Sequence, residues 1–256
     1  TLYINLIMSK EYERLSKIKK KLRISWYRCP IEKETLKNLT LRSDLKGLMQ
    51  AGGHFALFLL TGIITYYFWF LGMWYSFLIS FFLHGTVTSF LSGVAPHELG
   101  HGTVFRTRVY NKCFLHLFSC ISWWDPYDYS VSHTYHHRYT MYPDADRENL
   151  LPLKPSLSPL LILQLFTINL FGKTDRVFSK GGLFSTIQLT YLSAIGKTGS
   201  TKIPSQEWLQ RLHEDQPSEH TKSIHWSRYL LLFHGVILII SISTGQWVLS
   251  LIISIA

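Results

Sequence analysis

The chain has 256 residues, of which 47% are apolar and only 16% are charged. Soluble domains carry roughly 25% charged residues, so this composition favours a membrane protein. The net charge of +10 suits nucleic-acid binding, but the sequence has no aromatic-interleaved basic motif, and we expect no nucleic-acid partner.

Residues 1–47 are predicted to form a basic cytosolic segment. Residues 1–7 precede the first Met, and we exclude them as fragmentary or upstream sequence. Residues 8–46 hold twelve Lys or Arg against five acids. Within them, residues 9–21 predict a basic helix, for which a solvated positive face is favoured over attraction to anionic headgroups.

Residues 48–95 contain two uncharged runs with almost no connection between them. Residues 48–70 and 74–95 are each long enough to cross roughly 30 Å of hydrocarbon, and together they predict a transmembrane hairpin. Trp69 and Trp74 flank the turn, as aromatic rings do at a membrane interface. Because the basic segments precede the first span and follow the second, both ends of the hairpin are predicted to face the cytoplasm.

Residues 96–228 are predicted to form a cytosolic or interfacial region. Three apolar stretches in it are too short to span, and they predict helices that lie in the interface or pack over the site. Residues 197–228, rich in Lys, Glu, Ser and Pro, predict a polar loop. The three short stretches are residues 113–124, 159–171 and 183–195.

Residues 229–256 predict a third span, over residues 229–244, and the start of a fourth at residue 247. A chain ending inside an apolar run would leave backbone groups unsatisfied in hydrocarbon, so the sequence is expected to be truncated. The predicted fold is all-α: a polytopic membrane protein with two transmembrane hairpins, the second incomplete, and a cytosolic helical cap that carries the histidines.

The candidate metal ligands of the sequence are histidines that lie in two clusters. The first is His97 and His101, and the second is His133, His136 and His137. On helices, each spacing places its histidines largely on one face, so both clusters could offer nitrogens to a common metal site.

The segment HELGH at residues 97–101 also fits the H-E-x-x-H pattern of zinc peptidases, in which Glu98 would activate water. A zinc site of that kind needs only three protein ligands, whereas the two clusters supply five histidines. Because His136 and His137 point about 100° apart on a helix, one ion would not take both without distortion. Two metals explain the surplus better.

Imidazole ligands suit iron, zinc or copper, and donor type leaves that choice open. The three cysteines, Cys29, Cys113 and Cys120, form no Cys-x-x-Cys pair and predict ordinary thiols. A metal site beneath a membrane hairpin favours an apolar substrate. Iron with dioxygen can attack an unactivated C–H bond, and zinc cannot.

At these residues the chain resembles the membrane fatty acid desaturase superfamily. Its members carry an H-x-x-x-H or H-x-x-x-x-H box, an H-x-x-H-H box and a later third box. The segments PHELGHGTVF and SHTYHHRYT match in order, spacing and membrane setting, and the resemblance covers residues 42–150. The resemblance implies a non-haem di-iron centre whose ligands include His97, His101, His133, His136 and His137.

The resemblance also implies dioxygen as co-substrate, a fatty acyl lipid as substrate and electrons from a b-type cytochrome or a ferredoxin. The four-residue step of the first box is more similar to the acyl-lipid and carotenoid-modifying branches. The bacterial inner membrane and the endoplasmic reticulum both fit. Alternatives are a related di-iron hydroxylase or ketolase, the zinc peptidase and an inactive fragment.

The third histidine box of the family is missing after His137. In the family it follows the fourth span, so its absence agrees with the expected truncation. The chain as it stands is therefore expected to lack several ligands and to be inactive. The later histidines form no further box; they are His213, His220, His225 and His234.

Several polar residues near the boxes have a structural interpretation. His84 is predicted to be a hydrogen-bonded intramembrane histidine, which Gly93 and Pro96 could bring nearer the first box by a kink. Glu98 is interpreted as an acceptor that orients a ligand ring. For three acids we favour solvation in a loop over control of a histidine tautomer: Asp144, Asp146 and Glu148.

The remaining side chains are predicted to have packing, structural or interfacial roles. They are the histidines His54, His116 and His234 and the aromatic residues Trp123, Trp124, Tyr127 and Tyr129. The four aromatic residues could also line a substrate tunnel.

Overall fold

A computed structural model describes most of the chain, and every element of the described part is helical. The predicted helix at residues 159–171 and the excluded residues 1–7 lie outside that part. The described residues are 14–140, 142, 144–146, 148, 182–198 and 204–255.

Twelve α-helices and two π-helical turns make up the described residues. They are α1 (Leu15–Lys21), α2 (Lys33–Leu39), α3 (Asp44–Gly47), a π-turn (Leu48–Gly52), α4 (Gly53–Phe70), α5 (Trp74–Ser92), α6 (Val94–Gly100), α7 (Arg108–Ile121), α8 (Pro126–Tyr139), α9 (Leu183–Ala194), α10 (Pro204–Asp215), α11 (Pro217–Ser243), α12 (Val248–Ser250) and a second π-turn (Leu251–Ile255).

The chain divides into two compact units. The first unit comprises residues 1–25 and 127–231, and the second unit comprises residues 26–126 and 232–256. Helix α11 crosses this boundary, so its first half belongs to the first unit and its second half to the second unit.

Three helical stretches among the described residues are long and apolar enough to cross a membrane: Asp44–Phe70, Trp74–Gly100 and Pro217–Ser243. The first begins four residues before the predicted span. The side chain of Ser43, the N-cap residue of α3, accepts a hydrogen bond from the backbone N–H of Lys46, and the π-turn joins α3 to α4. The third begins at Pro217 and not at residue 229.

The predicted polar loop at residues 197–228 is wrong over most of its length. Helix α10 and the first half of α11 occupy it, each beginning with a proline, the residue most easily accepted in a first helical turn. Trp208 and Leu212 of α10 are buried one turn apart, while Arg211 pairs with Glu207 on another face. This amphipathic spacing stabilises a helix that the polar composition concealed.

Helices α4 and α5 of the second unit pack side by side through polar as well as apolar contacts. The ring of His84 lies in hydrogen-bond contact with Thr61 of the opposite helix, at 2.8 Å. Helix α5 stops at Ser92, and Gly93 leaves helical geometry with φ −129° and ψ −74° before α6 begins. The helix is therefore interrupted at Gly93, a position where the sequence permits a kink, just before the segment that carries the first histidine box.

Apolar side chains on both sides of Gly93 belong to the larger core of the second unit. The core fixes α6 and α7 against the first membrane helix, so the first box stands on a packed base. Its buried members are Ala51, Phe58, Leu91, Ala95, Leu99, Phe105, Phe118 and Ile121.

Helix α8 contributes three residues to the hydrophobic core of the first unit. Val131, Tyr135 and Tyr139 recur every four residues and are buried, so they form a single stripe along the helix. Helices α1 and α10 contribute to the same core. The remaining buried members are Leu15, Ile18, Ala145, Trp208 and Leu212.

Candidate metal centre

The first histidine box lies on α6 of the second unit, as the helical prediction requires. His97 is in the last turn of the helix, and His101 is its C-terminal cap residue. Their ring centroids are 4.7 Å apart, and the ring planes are nearly perpendicular at 83°. One ring nitrogen of His97 lies within 4.8 Å of one of His101, a separation that a single metal ion could bridge.

Glu98 orients the first of these rings. Its Oε1 is 2.8 Å from Nδ1 of His97, and its Oε2 accepts a 3.3 Å hydrogen bond from Thr103. Because an ionised carboxylate only accepts hydrogen bonds, Nδ1 of His97 carries the proton and Nε2 presents its lone pair. The geometry agrees with Glu98 as an orienting acceptor.

The second histidine box lies on α8 of the first unit, opposite the buried stripe. His133 and His137 follow Val131 and Tyr135 by two residues, which is about 200° around the helix. The side of α8 that faces the core therefore differs from the side that presents the imidazoles. His133 is nevertheless only 8% exposed, because Tyr129 stacks on its ring with centroids 4.8 Å apart.

The ring nitrogens of His133 and His137 converge. Their Nε2 atoms are 2.9 Å apart, and their ring planes meet at 81°. A separation this short needs either a shared proton or a shared ion, since two lone pairs facing each other would repel. The pair thus offers two nitrogens to one position.

Two acids that follow α8 hold the rings of the second box. Glu148 accepts from Nδ1 of His133 at 2.8 Å, and Asp146 accepts from Nδ1 of His136 at 2.9 Å. Asp146 is buried and Glu148 half-buried, so loop solvation, the interpretation favoured from the sequence, is wrong for both. Asp144 alone is exposed, as that interpretation expects.

Within each unit, two predicted ligands bring ring nitrogens close enough together for one metal ion: His97 and His101 in the second unit, and His133 and His137 in the first. His136 belongs to neither pair, although Asp146 fixes its ring, so its place as a ligand stays a prediction.

No protein family, curated protein or solved structure matches the chain.

The first unit also holds a hydrogen-bonded pair of side chains that was not predicted from the sequence. Nε2 of His213 is 2.8 Å from Oδ1 of Asp128, and the ring of His220 stacks on that of His213 with centroids 3.9 Å apart. These residues come from α8, α10 and α11, and 85 residues separate the bonded pair. The spacing of His213 and His220 around Pro217 was the only available signal.

The phenol of Tyr135 on α8 belongs to a second polar cluster of the first unit, which joins α8 to α10 and α1. It donates a 2.6 Å hydrogen bond to Asp215, and Lys19 of α1 donates to the same carboxylate at 2.7 Å. Burial, together with the neighbouring negative charge, raises the pKa of Tyr135 far above that of a free phenol. The phenol therefore remains a donor at any physiological pH.

The histidines within the membrane helices have the structural roles that were predicted. His84 and His234 are buried, and Nε2 of each faces a carbonyl oxygen, of Ile252 at 3.0 Å and of Cys120 at 2.9 Å. Since a carbonyl only accepts, each Nε2 carries the proton and each Nδ1 accepts from a hydroxyl. His54 likewise contacts the carbonyl of Val87.

Proposed function

We propose that the protein is a membrane-bound, non-haem di-iron oxygenase of the desaturase type that acts on a fatty acyl chain. The observation that carries the proposal is that three imidazoles have their Nδ1 hydrogens held by carboxylates, which leaves Nε2 of each for a metal. Pairs of this kind orient metal-binding histidines and raise their basicity. The pairs are His97 with Glu98, His133 with Glu148 and His136 with Asp146.

The donor set fits iron. Imidazole nitrogens with oxygen donors nearby suit iron, zinc or copper, whereas thiolate-rich sites select zinc or iron–sulfur clusters. The chain's three cysteines are free, and none belongs to the histidine group. The carboxylates select the tautomer that carries its hydrogen on Nδ1, which directs Nε2 of each imidazole toward a metal.

The number of histidines supports two metals in place of one. A hydrolytic zinc site uses three protein ligands and an open position, and the two boxes offer five imidazoles. We propose that both boxes serve a common di-iron centre, with His136 completing the set. The same count weighs against the H-E-x-x-H peptidase.

The surroundings support an apolar substrate. Among the described residues, three helical stretches are long and apolar enough to span a membrane, and α6 is the last part of one of them. With dioxygen, a bound pair of irons supplies an oxidant able to remove hydrogen from an unactivated C–H bond. A hydroxylase or ketolase would begin with the same hydrogen removal, so the alternatives differ in the fate of the carbon.

The overall reaction defines what partners must supply. Removal of one hydrogen from each of two neighbouring carbons leaves a double bond, while dioxygen becomes two waters. This balance takes two further electrons and two protons, which we assign to a small b-type cytochrome or ferredoxin. The distribution of Lys and Arg favours a cytoplasmic location of both boxes, where such a carrier has access.

Metal analysis of the full-length protein, purified in detergent, tests the proposal. We expect two irons per chain, lost together when His133 and His137 are both replaced by Ala. One zinc per chain would support the peptidase, and a preparation that takes up neither metal would overturn both functions.

A Glu98→Gln variant separates the two chemistries. The amide oxygen can still accept from Nδ1 of His97, so iron content should persist and hydrogen removal from a deuterated acyl chain should fall by about tenfold to a hundredfold. A peptidase would lose its general base, and its hydrolysis would disappear. A Glu98→Ala variant, which also removes the acceptor, should lose more iron than Glu98→Gln.

A further inference from the structure

The start of the first membrane helix is joined to the segment before α7 in the second unit. Asp44 accepts two 2.8 Å hydrogen bonds from Thr107, one from its backbone N–H and one from its hydroxyl. Beside this contact Gly47 lies directly against Phe105, where a Cβ would come within 2.6 Å of the ring. The two segments therefore form one continuous surface.

Cations crowd this contact. Arg42 and Lys46 lie two residues from Asp44, and Arg106 and Arg108 each lie one residue from Thr107. All four are exposed, and Lys112 adds a fifth exposed cation one turn farther along α7. Asp44 is the only acid in residues 35–97, and residues 99–124 contain none. Five cations against one acid give the surface a net charge of +4.

Large apolar side chains are interspersed with these cations. Leu45, Leu48 and Met49 are 55–71% exposed at the start of the membrane helix. Val109 and Tyr110 are 61% and 49% exposed on the first turn of α7. Exposed apolar groups in this number are costly in water, but they match the boundary between headgroups and acyl chains.

We propose that this surface binds the headgroups of anionic phospholipids. Its cations meet the phosphate and carboxylate charges, while its apolar side chains enter the acyl boundary. The helix that starts at Asp44 is apolar enough to cross the membrane, and so it places Lys46 where a span enters the bilayer. This inference goes beyond the proposed function and does not depend on it.

An acidic protein partner is the competing occupant. Cations alone would suit it, but a soluble acidic surface offers nothing to the five exposed apolar side chains. A span that begins within the surface also brings lipid to it at high local concentration. Both observations favour the lipid.

The test compares lipid binding by variants of the purified protein. Detergent-solubilised protein is titrated with short-chain phosphatidylglycerol, and bound lipid is counted by native mass spectrometry, with phosphatidylcholine, inorganic phosphate and polyglutamate as parallel ligands. We expect phosphatidylglycerol to bind at least about tenfold more tightly than phosphatidylcholine. Each cation removed should weaken it about fivefold, so the double variant Arg106→Gln/Arg108→Gln should lose about 25-fold.

Two control variants make the result decisive. Lys17→Gln/Lys20→Gln on α1 makes the same change in net charge and should leave phosphatidylglycerol binding unchanged. Arg106→Lys/Arg108→Lys keeps the charge and should bind within about threefold of the parent. An Arg→Gln pair that binds like the parent would overturn the proposal. The proposal would also be overturned if the Arg→Lys pair lost as much phosphatidylglycerol binding as the Arg→Gln pair. It would equally be overturned if the two arginines were needed for binding polyglutamate but not for binding phosphatidylglycerol.

Discussion

The phenol oxygen of Tyr135 lies 2.6 Å from Oδ2 of Asp215, the same carboxylate oxygen that Lys19 contacts at 2.7 Å. Tyr135 lies between His133 and His137 in the sequence, and its side chain leaves α8 on the side opposite both of them. The hydrogen bond therefore fixes the rotation of α8 about its axis. The direction in which the second histidine box points depends on this buried anchor.

Replacing Tyr135 by Phe should lower the free energy of unfolding by about 1–2 kcal/mol at pH 7, because Asp215 loses a buried donor. The raised pKa of Tyr135 means that the unfolded chain ionises this phenol first, so its contribution is complete below about pH 10 and is lost at higher pH. The difference between parent and variant should shrink above pH 10. Denaturant unfolding of metal-free protein at pH 7, 9 and 11 measures it, and a difference that grows with pH would contradict the assignment.

The carboxylates of the second box should control metal affinity. Replacing Glu148 by Gln weakens the hydrogen-bond acceptor for Nδ1 of His133, and replacing Asp146 by Asn does the same for His136. For each variant we expect tenfold to hundredfold weaker iron binding. Asp144→Asn removes an exposed carboxylate from the same turn and is the matched control. Competition with a chelator of known affinity measures all three. If Asp144→Asn weakened iron binding as much as the other two variants, net charge and not ring orientation would explain the binding.

Much of this arrangement was predictable, because membrane helices and histidine spacing are local signals. Residues 48–70 and 74–95 lie within the observed spans, since an uncharged run of that length has few other stable structures. The helices under both boxes and the short helix near residues 183–195 also agree with the prediction, and the break at Gly93 lies where the sequence permits a kink.

The errors arose where distant contacts decide the structure. Composition marked residues 197–228 as loop, but burial of Trp208 and Leu212 makes much of that stretch helical. The pairing of Asp128 with His213 spans 85 residues, and no local pattern reports it. Asp146 resembles an ordinary loop acid in the sequence, and only its burial beside His136 shows its role.

Gly47 should be intolerant of any side chain. A Cβ there would lie 2.6 Å from Cδ1 of Phe105 and 2.6 Å from the backbone oxygen of Val104, and the backbone cannot yield easily. We expect Gly47→Ala to lower the free energy of unfolding by about 1–3 kcal/mol. Gly53→Ala, six residues along the same membrane helix, meets nothing within 4 Å and should be neutral or stabilising by up to about 1 kcal/mol. Thermal unfolding of both variants in the same detergent compares them. An equal loss of stability in the two would show that the destabilisation comes from replacing any glycine of this helix, and not from the contact between Gly47 and Phe105.

His84 should hold the second π-turn in place. Its Nε2 hydrogen is directed at the carbonyl of Ile252, at 3.0 Å in a fully buried setting, while Nδ1 accepts from Thr61. A His84→Leu variant fills much of the same volume but leaves that carbonyl without its donor, at a cost of about 1–3 kcal/mol. Amide hydrogen exchange over residues 248–255 should then accelerate, because the turn loses a tether between helices.

Two companion variants identify the cause of that loosening. His84→Gln retains an N–H donor and should protect residues 248–255 better than His84→Leu. His54→Leu removes a contact to Val87, whose carbonyl lies inside α5, so exchange over residues 248–255 should match the parent. Since both leucine variants remove one intramembrane imidazole, only the contact with Ile252 distinguishes them. Equal protection in all three variants would mean that apolar packing of Val248 and Ile252, and not the hydrogen bond, holds the turn.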